Sequence, residues 1–115
     1  MPDQLIQRLT ETNERIQRLG VLWKDLLAES VPEHGLTLEL GCGHGHWLAA
    51  YAEKHPKRLC VGIDLITKRV ERANRKKSKK ELSNLYFLKA DAMECLDAML
   101  PEVKVNETIV LFPDP

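Results

Sequence analysis

The run Glu39-Leu40-Gly41-Cys42-Gly43-His44-Gly45 constrains this chain more than any other feature. Glycine is required where the backbone turns with positive φ, or where a neighbour must reach the main chain with no Cβ in the way. Three glycines at alternate positions therefore end whatever precedes them. In front of the run, Leu36–Leu40 reads as a short buried strand, and behind it residues 46–54 suit a helix that stops before Pro56. The alternation then repeats. Leu59–Ile63 is a second apolar strand ending on Asp64, residues 66–81 a strongly charged helix, and Leu85–Lys89 a third strand. Ala92–Leu100 is a short helix stopped by Pro101, and Thr108–Phe112 a fourth strand, apolar apart from Thr108 as central strands are. Strands that begin about 25 residues apart with helices between them are the pattern of βαβ units and a parallel sheet.

Ahead of the sheet, residues 2–30 read as amphipathic helix. Leu5, Leu9, Ile16, Leu19, Leu22, Trp23, Leu26 and Leu27 recur near a helical period, with Gly20 marking a break between two helices and Pro32–Gly35 a loop. Residues 1–35 are thus expected as a helical segment and residues 36–115 as the sheet domain. The length of 115 residues allows one domain. Charges balance, 17 − 17 = 0, which removes the case for a chain that coats nucleic acid by charge throughout. The balance is uneven, however: residues 67–81 carry 8 basic and 2 acidic groups. That block is either the solvated face of a helix or one edge of a polyanion-binding surface. No run of about 18 apolar residues offers a membrane span, and the N-terminus lacks a secretion signal, so a cytoplasmic protein is expected. Cys42, Cys60 and Cys95 form no CxxC pair and read as reduced thiols.

Four places carry candidate chemistry. The glycine turn sits at the carboxyl end of a strand, where open α/β sheets bind ligands, although a tight βα turn alone also accounts for it. Gly41, Gly43 and Gly45 make G-x-G-x-G. A dinucleotide fingerprint needs glycine at 46, where His46 stands. With Glu39 two residues ahead of it, the loop resembles those of sheets that bind S-adenosylmethionine. Asp64, 19 residues after Gly45, can accept hydrogen bonds from both hydroxyls of a ribose or simply start the next helix. Asp91-Ala92 follows the third strand. Asp91 with Glu94 fits a capping box, which is compatible with a place beside an adenine edge. Phe112-Pro113-Asp114-Pro115 follows the fourth, and its two prolines present one carboxylate rigidly, as a preorganised site or a turn would. His44 and His46 look like half of a metal site, but no further Cys/His cluster joins them and no metal is expected. Cys42, Trp23 and Trp47 read as packing residues.

Together, Leu38–Gly45, Gly62-Ile63-Asp64, Ser83-Asn84-Leu85, Asp91-Ala92 and Leu111–Pro115 resemble the tRNA (guanine-N7-)-methyltransferase family over roughly residues 35–115. The glycine motif is shared by class I methyltransferases generally; Phe-Pro-Asp-Pro is more specific. The resemblance implies an α/β, Rossmann-like class I methyltransferase sheet, here its first four parallel strands with helices. It implies S-adenosyl-L-methionine as donor and tRNA as partner. Glu39, Gly41, Gly43, Gly45, Asp64, Asp91 and Ala92 would line the cofactor, and Asp114 would serve both cofactor and catalysis. Guanine N7 attacks with a free lone pair, so Asp114 would hold the base edge and offset developing charge rather than remove a proton. Competing readings are a class I methyltransferase with another acceptor, or a non-catalytic cofactor- or RNA-binding module. Since the resembled sheet has seven strands, a chain about twice this length is expected, in line with doubly wound folds.

Overall fold

In the computed structural model, residues 2–29, 35–99 and 107–110 are described. The elements run α1 (Pro2–Glu29), β1 (Leu36–Leu40), α2 (His46–Lys54), β2 (Leu59–Asp64), α3 (Thr67–Lys80), β3 (Leu85–Lys89), α4 (Ala92–Ala98) and β4 (Glu107–Val110). All strand pairs are parallel, in the order β3-β2-β1-β4. The strand–helix alternation expected from the sequence is therefore present. The fourth strand begins one residue earlier than expected, and its expected end at Phe112 lies outside the described residues, as does Leu100 of the fourth helix.

Period-two alternation divides the core between the two faces of the sheet. On one face, Leu36 and Leu38 of β1 and Leu59, Val61 and Ile63 of β2 pack with Leu19, Trp23 and Leu26 of α1 and Cys95, Ala98 and Met99 of α4. On the other, Cys60, Leu85 and Phe87 pack under Leu48, Ala49 and Ala52 of α2 and Val70 and Ala73 of α3. Covered on both sides, β1 and β2 are buried almost throughout, including the polar Thr37, Glu39 and Asp64. Gly62 lets the second layer close: a Cβ there would lie 2.9 Å from both Cys42 Cβ and Phe87 Cδ1.

Three expectations for the helices are corrected. Gly20 breaks nothing; α1 is one helix of 28 residues, and Gly20 faces the Ala98 carbonyl of α4. Within that helix Leu19, Trp23 and Leu26 are buried, whereas Leu5, Leu9 and Leu22 are exposed, so only part of the apolar periodicity meets the sheet. Trp47 is exposed on α2 and stacks on Tyr51 with ring centroids 5.0 Å apart, while Trp23 is fully enclosed. The basic block is α3, held to the sheet by Val70 and Ala73 with Lys77 over the Tyr86 ring at 4.2 Å.

Polar latches fix the crossovers. The Asn84 side-chain amide donates to the carbonyls of Ala52, His55 and Arg58 at 2.9–3.1 Å, tying the α2–β2 turn to the start of β3. Arg15 grips Glu94 with two contacts of 2.7 and 3.2 Å, holding α1 against α4. Because Trp23 is the largest side chain that α1 inserts under the sheet, Trp23→Ala should lower unfolding free energy by about 3–5 kcal/mol in urea titration. A loss below about 1 kcal/mol would mean that α1 is only loosely applied to the core.

Candidate functional site at the carboxyl end of the sheet

The glycine loop is anchored from below. Gly41 N–H and Cys42 N–H both donate to the Ile63 carbonyl, at 2.8 and 2.9 Å, and Gly45 N–H closes back on the Cys42 carbonyl at 3.0 Å. Gly41, Gly43 and Gly45 all have positive φ, 74°, 58° and 76°. Their surroundings differ. A Cβ on Gly41 or Gly43 would meet nothing within 4 Å, so these two leave their backbone open to a visitor. On Gly45 it would lie 2.5 Å from Phe87 Cζ, so this glycine lets the loop seat on the sheet.

Asp64, expected to meet a ribose, is already at work inside the protein. Its Oδ2 accepts from Gly43 N–H at 3.0 Å, its Oδ1 from Ile66 N–H at 2.9 Å, and its main-chain carbonyl from Ala90 N–H at 3.1 Å. One buried residue thus joins the turns after β1, β2 and β3. Each carboxylate oxygen keeps a further lone-pair direction for a ligand hydroxyl. Arg69 adds a more distant charge at 3.9 Å.

Glu39 is the anomaly of the site. It is 1% exposed, in register between Gly62 and Ile109, and its Oε1 has no hydrogen-bond partner among the described residues. Burial pushes its carboxyl up to about 7. Cys42 beside it is pushed up to about 12, first by burial and then by the charges of Glu39 and Asp64, so it is a packed thiol and no nucleophile. All three cysteines are buried and outside any disulfide.

Asp91 Oδ1 accepts from Glu94 N–H at 3.0 Å, as the cap requires. Glu94 does not complete the expected box: its carboxylate is taken by Arg15. Between α1 and the ends of β2 and β3 opens a cleft of about 520 Å3, lined in part by Leu19, Leu22, Leu65, Ala90 and Asp91. Asp114 lies outside the described residues. His44 and His46 face Arg72 and Lys76 on α3, and among the described residues no group of three or more His, Cys, Asp or Glu side chains could hold a metal. Among those residues, too, no helix is long and apolar enough to cross a membrane.

The structure therefore brings Glu39, the glycine loop, Asp64 and Asp91 to one end of the sheet. The loop-clamping role of Asp64 escaped the sequence because its partners are backbone amides. An acid inside the apolar run Leu36–Leu40 was the available sign that Glu39 would be buried.

Comparison with known proteins follows the same lines. The family model Methyltransf_4, described as "Putative methyltransferase", matches residues 33–115. The tRNA (guanine-N(7)-)-methyltransferase of Acinetobacter baylyi is 38% identical over 84 residues, which is 73% of this chain and 34% of that protein. Its counterpart in Porphyromonas gingivalis is 34% identical over 83 residues, 72% and 34% respectively. That of Christiangramia forsetii is 31% identical over 105 residues, 91% and 46%. The chain thus spans between a third and a half of the length of these relatives. Among solved structures, PKMT2 from Rickettsia typhi in complex with AdoHcy shares the fold, with a TM-score of 0.57 and 24% identity over 66% of this chain and 14% of that one.

With no ligand, Glu39 is costly in its charged form. Its raised folded pKa favours protonation of the folded protein, so the group stabilises most below the ordinary value of 4.5, and this contribution is lost as pH rises to about 7. The Tm of the parent should therefore fall relative to Glu39→Gln between pH 5 and 8, by several degrees for about 1 kcal/mol, followed by circular dichroism. A difference that does not change with pH would show that Glu39 titrates like an exposed carboxyl.

Proposed function

The chain belongs to the Methyltransf_4 methyltransferase family, and from that premise we propose that it forms the donor-binding part of an S-adenosylmethionine-dependent methyltransferase acting on N7 of guanine in tRNA. The observation that carries this reading is Glu39: a buried carboxyl with an unpartnered oxygen beneath two open glycines calls for a cationic ligand group. The α-ammonium of the donor's methionine moiety is such a group. Gly41 and Gly43 would let that moiety lie against the backbone. Asp64, fixed by Gly43 and Ile66, would receive the ribose hydroxyls on its remaining lone pairs. The cleft beside Leu65, Asp91 and Ala92 would take the adenine, with α1 as its outer wall.

When bound, the donor supplies a methyl group activated by its sulfonium. Guanine N7 carries a free lone pair, so the protein has no proton to remove and its task is alignment. Asp114, flanked in sequence by Pro113 and Pro115, would serve the base: its carboxylate would accept from the guanine N1–H and N2–H edge and offset the positive charge that grows on the purine. A tRNA acceptor fits a cytoplasmic protein.

Incubated with S-adenosylmethionine and unmodified tRNA, the protein should produce 7-methylguanosine, detected by nucleoside mass spectrometry. Asp64→Asn places an amide donor against a backbone N–H and should weaken S-adenosylhomocysteine binding about 10- to 100-fold by calorimetry. Methylation of a different nucleoside, or unchanged affinity in the variant, would contradict the reading.

A further inference from the structure

Arg72 and Lys76 occupy successive turns of α3 on the side that meets the glycine loop. Arg72 Nη1 lies 3.5 Å from His44 Nε2, and Lys76 Nζ contacts His46 Nδ1. The two imidazoles stand edge to face with centroids 6.0 Å apart, so four nitrogen-rich groups crowd one rim of the loop. Three other α3 cations are matched with acid or aromatic groups: Lys80 with Glu53 at 2.9 Å, Lys77 with Tyr86, and Arg69 with Asp64 at 3.9 Å. The partners of Arg72 and Lys76 are imidazoles, which bring no negative charge. Partial desolvation and then the neighbouring Arg72, His46, Arg69 and Lys76 hold the His44 imidazole below its ordinary range, as a positive local potential requires.

The donor does not account for four such groups: it carries no phosphate, and its one anion, the α-carboxylate, would lie with the ammonium over Gly41 and Gly43 rather than on the α3 rim. The complement of the cluster is an anion arriving from outside the loop. We propose that His44, His46, Arg72 and Lys76 form a phosphodiester-binding cluster that seats the backbone of the substrate RNA at the rim of the glycine loop. The inference rests on the reading of the acceptor as RNA. Arginine can grip two phosphate oxygens through its planar fork, lysine adds a point charge, and each neutral imidazole can turn an N–H toward the same group. A phosphate placed there would relieve the like-charge crowding, and it would fix the RNA beside the pocket in which the methyl group is offered.

The test is binding of an unmodified tRNA transcript by fluorescence anisotropy across a KCl series, with S-adenosylhomocysteine binding measured in parallel by calorimetry. In the Arg72→Gln/Lys76→Gln double variant, the slope of log affinity against log salt should become shallower by about 1, and affinity at fixed low salt should fall about 10-fold or more. Lys68→Gln/Arg75→Gln removes the same charge from exposed positions of α3 and should change the slope by less than half as much. An unchanged slope in the first variant, or equal changes in both, would overturn the cluster while leaving the methyltransferase reading intact. Loss of S-adenosylhomocysteine binding in the parent, with the slope still responding to Arg72 and Lys76, would overturn the cofactor reading and support the cluster.

Discussion

The carboxyl end of this sheet is organised by the hydrogen bonds of Asp64. Three turns follow three parallel strands, and each would otherwise carry its own unsatisfied backbone groups. Asp64 collects one amide from each: Gly43 after β1 and Ile66 after β2 on its carboxylate oxygens, and Ala90 after β3 on its carbonyl. Charge-assisted bonds to buried amides are among the stronger contacts a fold can make. Gly43, at positive φ and with its face open, is held directly by this junction, as is Ile66 at the start of α3.

Glu39 works in the opposite sense. The sheet buries it in register between Gly62 and Ile109 and leaves Oε1 unmatched among the described residues. A fold that placed an apolar residue there would avoid the penalty. Keeping an acid leaves a demand for positive charge near the loop that Asp64 fixes; under the proposed function, structural cost and ligand recognition would be one property of the same side chain. Around this centre the charges are sorted: acid beneath the loop, cations on its α3 rim. A zwitterionic donor and a polyanionic acceptor would approach from different sides and be held by groups of opposite sign.

Much of this was legible in the sequence because it is carried by local patterns. Glycine spacing, Asp64 at the end of an apolar strand, and Asp91 three residues before Glu94 each announce a turn or a cap within a few residues. What escaped depends on distance in sequence. Gly20 looks like a helix break, yet α4 comes close enough to α1 to make a small residue useful inside one continuous helix. Glu94 looks like the second half of a capping box, but Arg15, 79 residues away, takes its carboxylate. Leu5 and Leu9 share the periodicity of Leu19 and Leu26 and are exposed, because periodicity gives a face and not the length over which that face is covered. Asn84, from Ser-Asn-Leu, is identified as a latch only once the carbonyls of Ala52, His55 and Arg58 converge on it.

If Glu39 receives the cationic end of the donor, as proposed, binding releases a proton that can be measured directly. With its carboxyl pushed up to about 7, Glu39 is partly protonated at neutral pH, and an ammonium beside it must drive that proton off. Calorimetric titration of S-adenosylhomocysteine at pH 7, repeated in buffers of different ionisation enthalpy, should show release of a fraction of a proton that disappears in Glu39→Gln. Binding with no buffer dependence, or with the same dependence in the variant, would contradict the account.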